Sequence, residues 1–206
     1  MQVRPSFVSR HAVPFPEALL EPLRVGRMRL VELLLRERWE TLVHVDVRSP
    51  ALLTELHAER PRAHYGGVEV PSRPSMREAC VFAKLIAGSP EDVDYGAFFS
   101  GRPPERIVFL HSLSTFEDAE GAVDNARRQV ASDGEVLIVD FGSLRLIPGP
   151  QREAVFDALD AYRCRPLPAS ITQDRRARVL EGPLGSYQIV RLPPARGRSP
   201  LRLVKG

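Results

Sequence analysis

His111, Ser112 and Ser114 directly follow the apolar run 107–110, and Asp140, Gly142 and Ser143 directly follow the run 136–139. An imidazole titrates near neutrality and can take a proton from an attacking hydroxyl or amine, which makes His111 the candidate general acid or base. A hydrogen-bonded histidine at a strand end is the structural alternative. The two serines can bond a substrate, but neither stands in a Gly-x-Ser-x-Gly elbow, so hydrolase chemistry has little support. A second polar set lies earlier, with Asp46, Arg48 and Ser49 at the end of the run 41–47 and Glu69 near the end of the run 65–70. His44 sits inside an apolar segment and reads as a core residue with its hydrogen bonds satisfied. His57 and His64 are badly spaced for a metal, and no metal site is expected.

These side chains need elements that bring them to one edge. The runs 107–110 and 136–139 are short, β-branched and bounded by turn residues, as in parallel strands covered on both faces. Between them Phe116, Ala119, Val123, Ala126, Arg127 and Val130 recur at helical spacing. The segment therefore predicts strand, helix, a turn at Ser132, Asp133 and Gly134, and a neighbouring parallel strand. Ligands in such open sheets sit beyond the carboxyl ends of the strands.

Upstream, the pattern predicts a helix over 25–39, a strand over 41–47, a helix over 50–59 started by Ser49 and Pro50, and a second strand over 65–70. Ser75 with Glu78 forms a capping-box pattern ahead of Cys80, Val81, Phe82, Leu85 and Ile86, so a helix closed by Gly88 is expected. Residues 95–99 read as the third strand. Downstream, 148–163 reads as loop and helix, and 178–180 with 187–192 as a terminal hairpin. Residues 1–24, with Pro5, Pro14, Pro16 and Pro22, are expected to form an irregular arm that packs on its own domain or a second subunit. The α/β domain is placed at 25–192, and 193–206 is expected to be a basic, flexible tail.

The order apolar strand, His-Ser-Leu, helix, then SDGEVLIVDFG resembles the second half of a class I S-adenosylmethionine-dependent methyltransferase domain, most specifically over 106–142. The resemblance implies a Rossmann-like methyltransferase fold: a mostly parallel sheet with helices on both faces and a C-terminal antiparallel strand or hairpin. It implies S-adenosylmethionine as cofactor, held by Asp46, Arg48, Ser49, Glu69 and Ser112, with Glu69 on the ribose hydroxyls and His111 as the catalytic residue. The methyl group would pass to a small molecule by in-line displacement. The family places glycines after the first strand, where backbone amides approach the cofactor closely. This chain has Asp46, Val47, Arg48, Ser49, Pro50 and Ala51 there, with no glycine. A catalytically silent protein using the same fold as an interaction or scaffold module, with a protein partner or as a homo-oligomer, is the alternative. For the adenine, Phe98 or Phe99 is a candidate wall, with a core role as the other reading.

Composition narrows the classes further. With 206 residues and 43% hydrophobic content, the chain suits one α/β domain rather than two. Cys80 and Cys164 lack metal-ligand spacing and read as reduced, structural thiols. No apolar window reaches the roughly 18 residues of a membrane span, and prolines interrupt the first segment where a signal peptide needs continuity, so the cytoplasm is expected. The arginine bias, with Lys84 and Lys205 the only lysines, fits a GC-rich bacterial source. A net charge of +3 with both signs interspersed does not demand nucleic acid, although Arg191, Arg196, Arg198, Arg202 and Lys205 cluster near the end. Neither a P-loop nor a dinucleotide fingerprint is present.

Overall fold

The computed structural model describes residues 17–71 and 75–195, with side chains from Arg24 onward. Most of the expected arm and the tail from residue 196 lie outside the described residues. Helix α1 (Glu17–Arg36) starts well before residue 25 and leads into β1 (Thr41–Val45), α2 (Ala51–Glu59) and β2 (His64–Glu69). Then follow β3 (Ala83–Ala87), a 3-10 helix (Tyr95–Phe99), β4 (Arg106–Leu110), α3 (Ala119–Gln129) and β5 (Glu135–Phe141). The chain closes with α4 (Gly149–Ala161), α5 (Ala169–Thr172), β6 (Arg178–Glu181) and β7 (Tyr187–Leu192).

The strands form one sheet in the order β3-β2-β1-β4-β5-β7-β6. The first five run parallel, and β7 inserts antiparallel between β5 and β6. This is the expected mostly parallel sheet with a C-terminal antiparallel hairpin. On one face Leu30, Leu34, Leu52, Leu53 and Leu56 of α1 and α2 pack on Leu42, Val108, Leu137 and Ile189. On the other, Ala122, Val123 and Ala126 of α3 join Tyr95, Phe98, Phe99 and Ile171 over Val43, Ile107, Phe109, Val136 and Ile138. Each fully buried Leu, Ile or Val contributes roughly 1.5–3 kcal/mol, so the β-branched centre of the sheet is the main source of its stability.

The predicted crossover from β4 to β5 is present. Asp118 caps α3 by accepting from the Gly121 amide at 2.8 Å. The helix ends at Val130, and the turn through Ser132 and Asp133 delivers β5. A Cβ on Gly134 would lie 2.7 Å from the Glu105 carbonyl oxygen, so only glycine lets the turn pack this tightly against the start of β4.

Two expected elements differ. The segment after Ser75 is not a helix: its described residues form turns, and Ala83–Ala87 is a half-buried edge strand parallel to β2. The Ser75 hydroxyl, expected as a helix cap, donates to Glu69 Oε1 at 2.8 Å and accepts from the Arg77 amide at 3.3 Å, but a turn and not a helix follows. Residues 95–99 are helical rather than extended, because Asp94 accepts from the Gly96 amide at 2.9 Å and turns the chain. That turn buries Tyr95, Phe98 and Phe99, whose spacing is helical despite their strand-like composition.

Candidate functional site

The polar residues converge where the parallel strands end. Asp46 after β1 and His111 after β4 both adopt left-handed backbone conformations, with φ of 59° and 54°. Non-glycine residues rarely take this region, and each instance costs on the order of 1–2 kcal/mol. The regular run of each strand ends at these residues, although the Val47 amide still donates to the Val68 carbonyl and the His111 amide to the Val139 carbonyl. Beside them opens a cavity of about 440 Å³ lined by Asp46, Arg48, Ser49, His111, Ser114 and His44, with Leu52, Leu110, Phe141, Tyr162 and Cys164 among its other walls.

Arg48 bridges two segments of the cavity wall. Its guanidinium lies 2.6 Å from Asp46 Oδ2 and donates also to the Thr115 hydroxyl, joining the turn after β1 to the segment after β4. The Asp46 side chain is fully buried, so this pairing offsets the desolvation of its charge. Arg27, on the cavity wall, is paired with Glu55. Thr115 in turn donates to the Ser112 carbonyl at 2.8 Å.

Next to Ser114, Asp140 is fully buried near the end of β5 and accepts from the Ser114 amide at 3.0 Å and the Phe141 amide at 2.8 Å. Burial pushes its carboxyl above the usual carboxylate range, against the pull of those amides and of the Arg48 charge. Burial likewise raises the Cys164 thiol, and the Asp140 charge adds to that. Cys164 is thus held as a thiol rather than a reactive thiolate.

His44 departs from its expected role. It borders the cavity, is 3% exposed, and neither ring nitrogen has a hydrogen-bond partner among the described residues. Burial, with lesser contributions from His111 and Arg48, lowers its pKa to about 3, so the ring is neutral near pH 7. The sequence held a partial signal for this: His44 stands next to the last residue of β1, close to the carboxyl end where the cavity opens.

Of the residues singled out for the cofactor, Asp46, Arg48 and Ser49 line the cavity together with His111, whereas Glu69 and Ser112 do not. Glu69 ends β2 with its carboxylate engaged by its own following loop: Oε1 accepts from the Ser75 hydroxyl and from the Met76 amide at 2.7 Å, and Arg77 lies 3.5 Å from Oε2. These partners hold Glu69 below the usual carboxylate range, against the opposing effect of its burial. Ser112 is fully buried beneath the turn. Phe98 and Phe99 pack in the core and line no part of this cavity. His57 stacks on Phe82 with ring centroids 4.1 Å apart, and His64 is exposed. Arg27, Thr115, Tyr162 and Cys164 are wall residues that sequence patterns did not single out; they come from α1, from the segment after β4 and from beyond α4, and only tertiary packing brings them together.

No protein-family model matches this chain, and no curated protein matches it in sequence. Solved structures do match in fold. An O-methyltransferase family protein from Burkholderia thailandensis superposes with a TM-score of 0.61 at 14% identity over 87% of this chain and 59% of that one. The pyocyanin biosynthetic protein PhzM gives 0.61 at 16% identity over 82% of this chain and 55% of its own. An O-methyltransferase from neocarzinostatin biosynthesis, in complex with S-adenosylmethionine and 2-hydroxy-5-methyl naphthoic acid, gives 0.57 at 14% over 87% and 60%. The chain spans under two thirds of each of these three proteins. It has the Rossmann-like fold of S-adenosylmethionine-dependent methyltransferases, and among the described residues no helix is long and apolar enough to cross a membrane.

Proposed function

We propose that the chain is a methyltransferase-like protein that takes a small molecule in the cavity at its strand tips, with S-adenosylmethionine as the methyl donor. The observation that carries this reading is the placement of Asp46, Arg48, Ser49 and His111 around one cavity at the carboxyl ends of β1 and β4, where open α/β sheets bind ligands. The cofactor would lie along Asp46 to Ser49, and Ser112 would support the turn over it. His111 would receive a proton from the acceptor group. Bound there, the cofactor would supply an electrophilic methyl group.

The residues present fit the cofactor at one end only. The cavity wall fits the reacting end. The ribose end does not, because Glu69 is already hydrogen-bonded to Ser75 and Met76 and the turn after β1 is spanned by Arg48. The same two observations favour a second reading, a catalytically silent protein in which the cofactor seat has been closed by its own side chains. In that reading the fold serves as an interaction or scaffold module, as a homo-oligomer or with a protein partner. Bacterial origin and a cytoplasmic place accompany both readings as proposals.

Calorimetric titration with S-adenosylmethionine and S-adenosylhomocysteine separates the two. Heat and a thermal shift at up to millimolar ligand are expected from the first reading. Their absence would leave only the second.

A further inference from the structure

We infer that His44 is the ligand-selecting residue of the cavity wall, and that the site takes a neutral, largely apolar molecule presenting one hydrogen-bonding group to this buried imidazole. The inference rests on the reading of the cavity as a ligand site, but not on which cofactor accompanies it. A buried polar atom without a partner costs roughly 1–3 kcal/mol, so an imidazole with both nitrogens unpartnered is kept at a cost to stability. A leucine or valine would fill the same strand position without that cost.

The surroundings specify the ligand. The charged side chains on the wall are paired within the protein, Arg48 with Asp46 and Arg27 with Glu55, so they offer little net charge to a newcomer. Leu52, Leu110, Phe141 and Tyr162 supply apolar surface. Beside the Ser49 and Ser114 hydroxyls, the wall holds a buried ring with one donor and one acceptor nitrogen, suited to a hydroxyl or carbonyl and poorly suited to a cation beside Arg48 and His111. A site built to bond such a group rejects the analogue that lacks it, because the protein atom is then left unpaired.

The test uses p-cresol and toluene, which differ by one hydroxyl, titrated into the full chain and followed by the His44 ring signals in a long-range proton–nitrogen spectrum. Wild-type protein should bind p-cresol about tenfold more tightly than toluene, with the His44 nitrogens shifting only for p-cresol. His44→Leu should close that gap to about twofold or less, and His44→Gln, which keeps a donor and an acceptor, should retain part of it. Equal binding of the two probes by the wild type, an undiminished gap in His44→Leu, or binding of neither probe would overturn the inference. An ordered water that stays on the imidazole while p-cresol binds elsewhere would do the same. Absence of S-adenosylmethionine binding would remove the methyl-donor reading and leave this result standing, whereas cofactor binding without p-cresol selectivity would remove only the role of His44.

Discussion

The half of the sheet from β4 to β7 and the half from β1 to β3 meet at one cavity yet are built differently. In the first, β4 and β5 are joined by a capped, amphipathic helix, and Ile107, Val108, Leu137 and Ile138 are fully buried. In the second, the described residues between β2 and β3 form turns, β3 is a half-buried edge, and the loop after β2 folds back on Glu69. The core obliges the first half to keep its pattern. In the second half the polar side chains at the strand ends are engaged within the protein, Asp46 by Arg48 and Glu69 by Ser75 and the Met76 amide.

Stability measurements can break this comparison most directly. Leu137→Ala in β5 should cost about 2–5 kcal/mol in chemical denaturation, whereas Leu85→Ala in β3 should cost about 1 kcal/mol. Equal losses would mean that the two halves are equally packed. Arg48→Ala removes a partner of the buried Asp46 carboxylate and should cost about 1–3 kcal/mol. It also sharpens the functional contrast: if Arg48 closes the seat, the variant binds S-adenosylmethionine more tightly than wild type in calorimetry, and if Arg48 holds the cofactor, the variant binds it more weakly.

A pH series isolates the junction of the halves. The folded-state pKa of His44, about 3, lies below the ordinary 6.5, so the unfolded chain takes up the proton first as pH falls. Stability is therefore fully present above pH 6.5 and declines toward pH 3, by at most about 1.4 kcal/mol per pH unit. Asp140 acts in the opposite sense, since its raised pKa lets the folded state keep a proton that the unfolded chain loses. His44→Leu retains Asp140, His111 and Arg48, so the difference between variant and wild-type melting curves should report His44, and parallel curves would contradict its buried, neutral state. The smallest effect is expected at the exposed connection between β6 and β7: Leu184→Ser, at a side chain 58% exposed, should change stability by about 0.5 kcal/mol or less.

The contrast also explains what could be read in advance. The strand, helix, turn and strand over 106–142 were legible because burial on both faces forces continuous β-branched runs and a helical stripe. Edge elements carry weaker patterns. Cys80, Val81, Phe82, Leu85 and Ile86 match a helix as well as a strand, and periodicity does not encode that Glu69 ties down both the Ser75 hydroxyl and the Met76 amide. Residues 95–99 combined strand-like composition with helical spacing, and the Asp94 side chain decided the outcome. At the site, the carboxyl-end placement of Asp46 and His111 followed from strand boundaries alone. The crossing of Arg48 to Thr115, the engagement of Glu69 and the unpartnered ring of His44 depend on which segments pack above each strand, which periodicity does not encode.

The strand order has a consequence for how the chain assembles during synthesis. Central β1 pairs with β4, Val43 facing Ile107, so it cannot complete its pairing until the ribosome has passed Leu110. Until then α1 and α2 can cover only the Leu42 face of β1, while the Val43 face waits for residues 95–99 and α3. Insertion of β7 between β5 and β6 must wait longer still, because β6 precedes it and has no other strand to pair with. Nascent chains halted before Tyr187 would display the β5 edge from Val136 to Phe141, a ready template for intermolecular pairing.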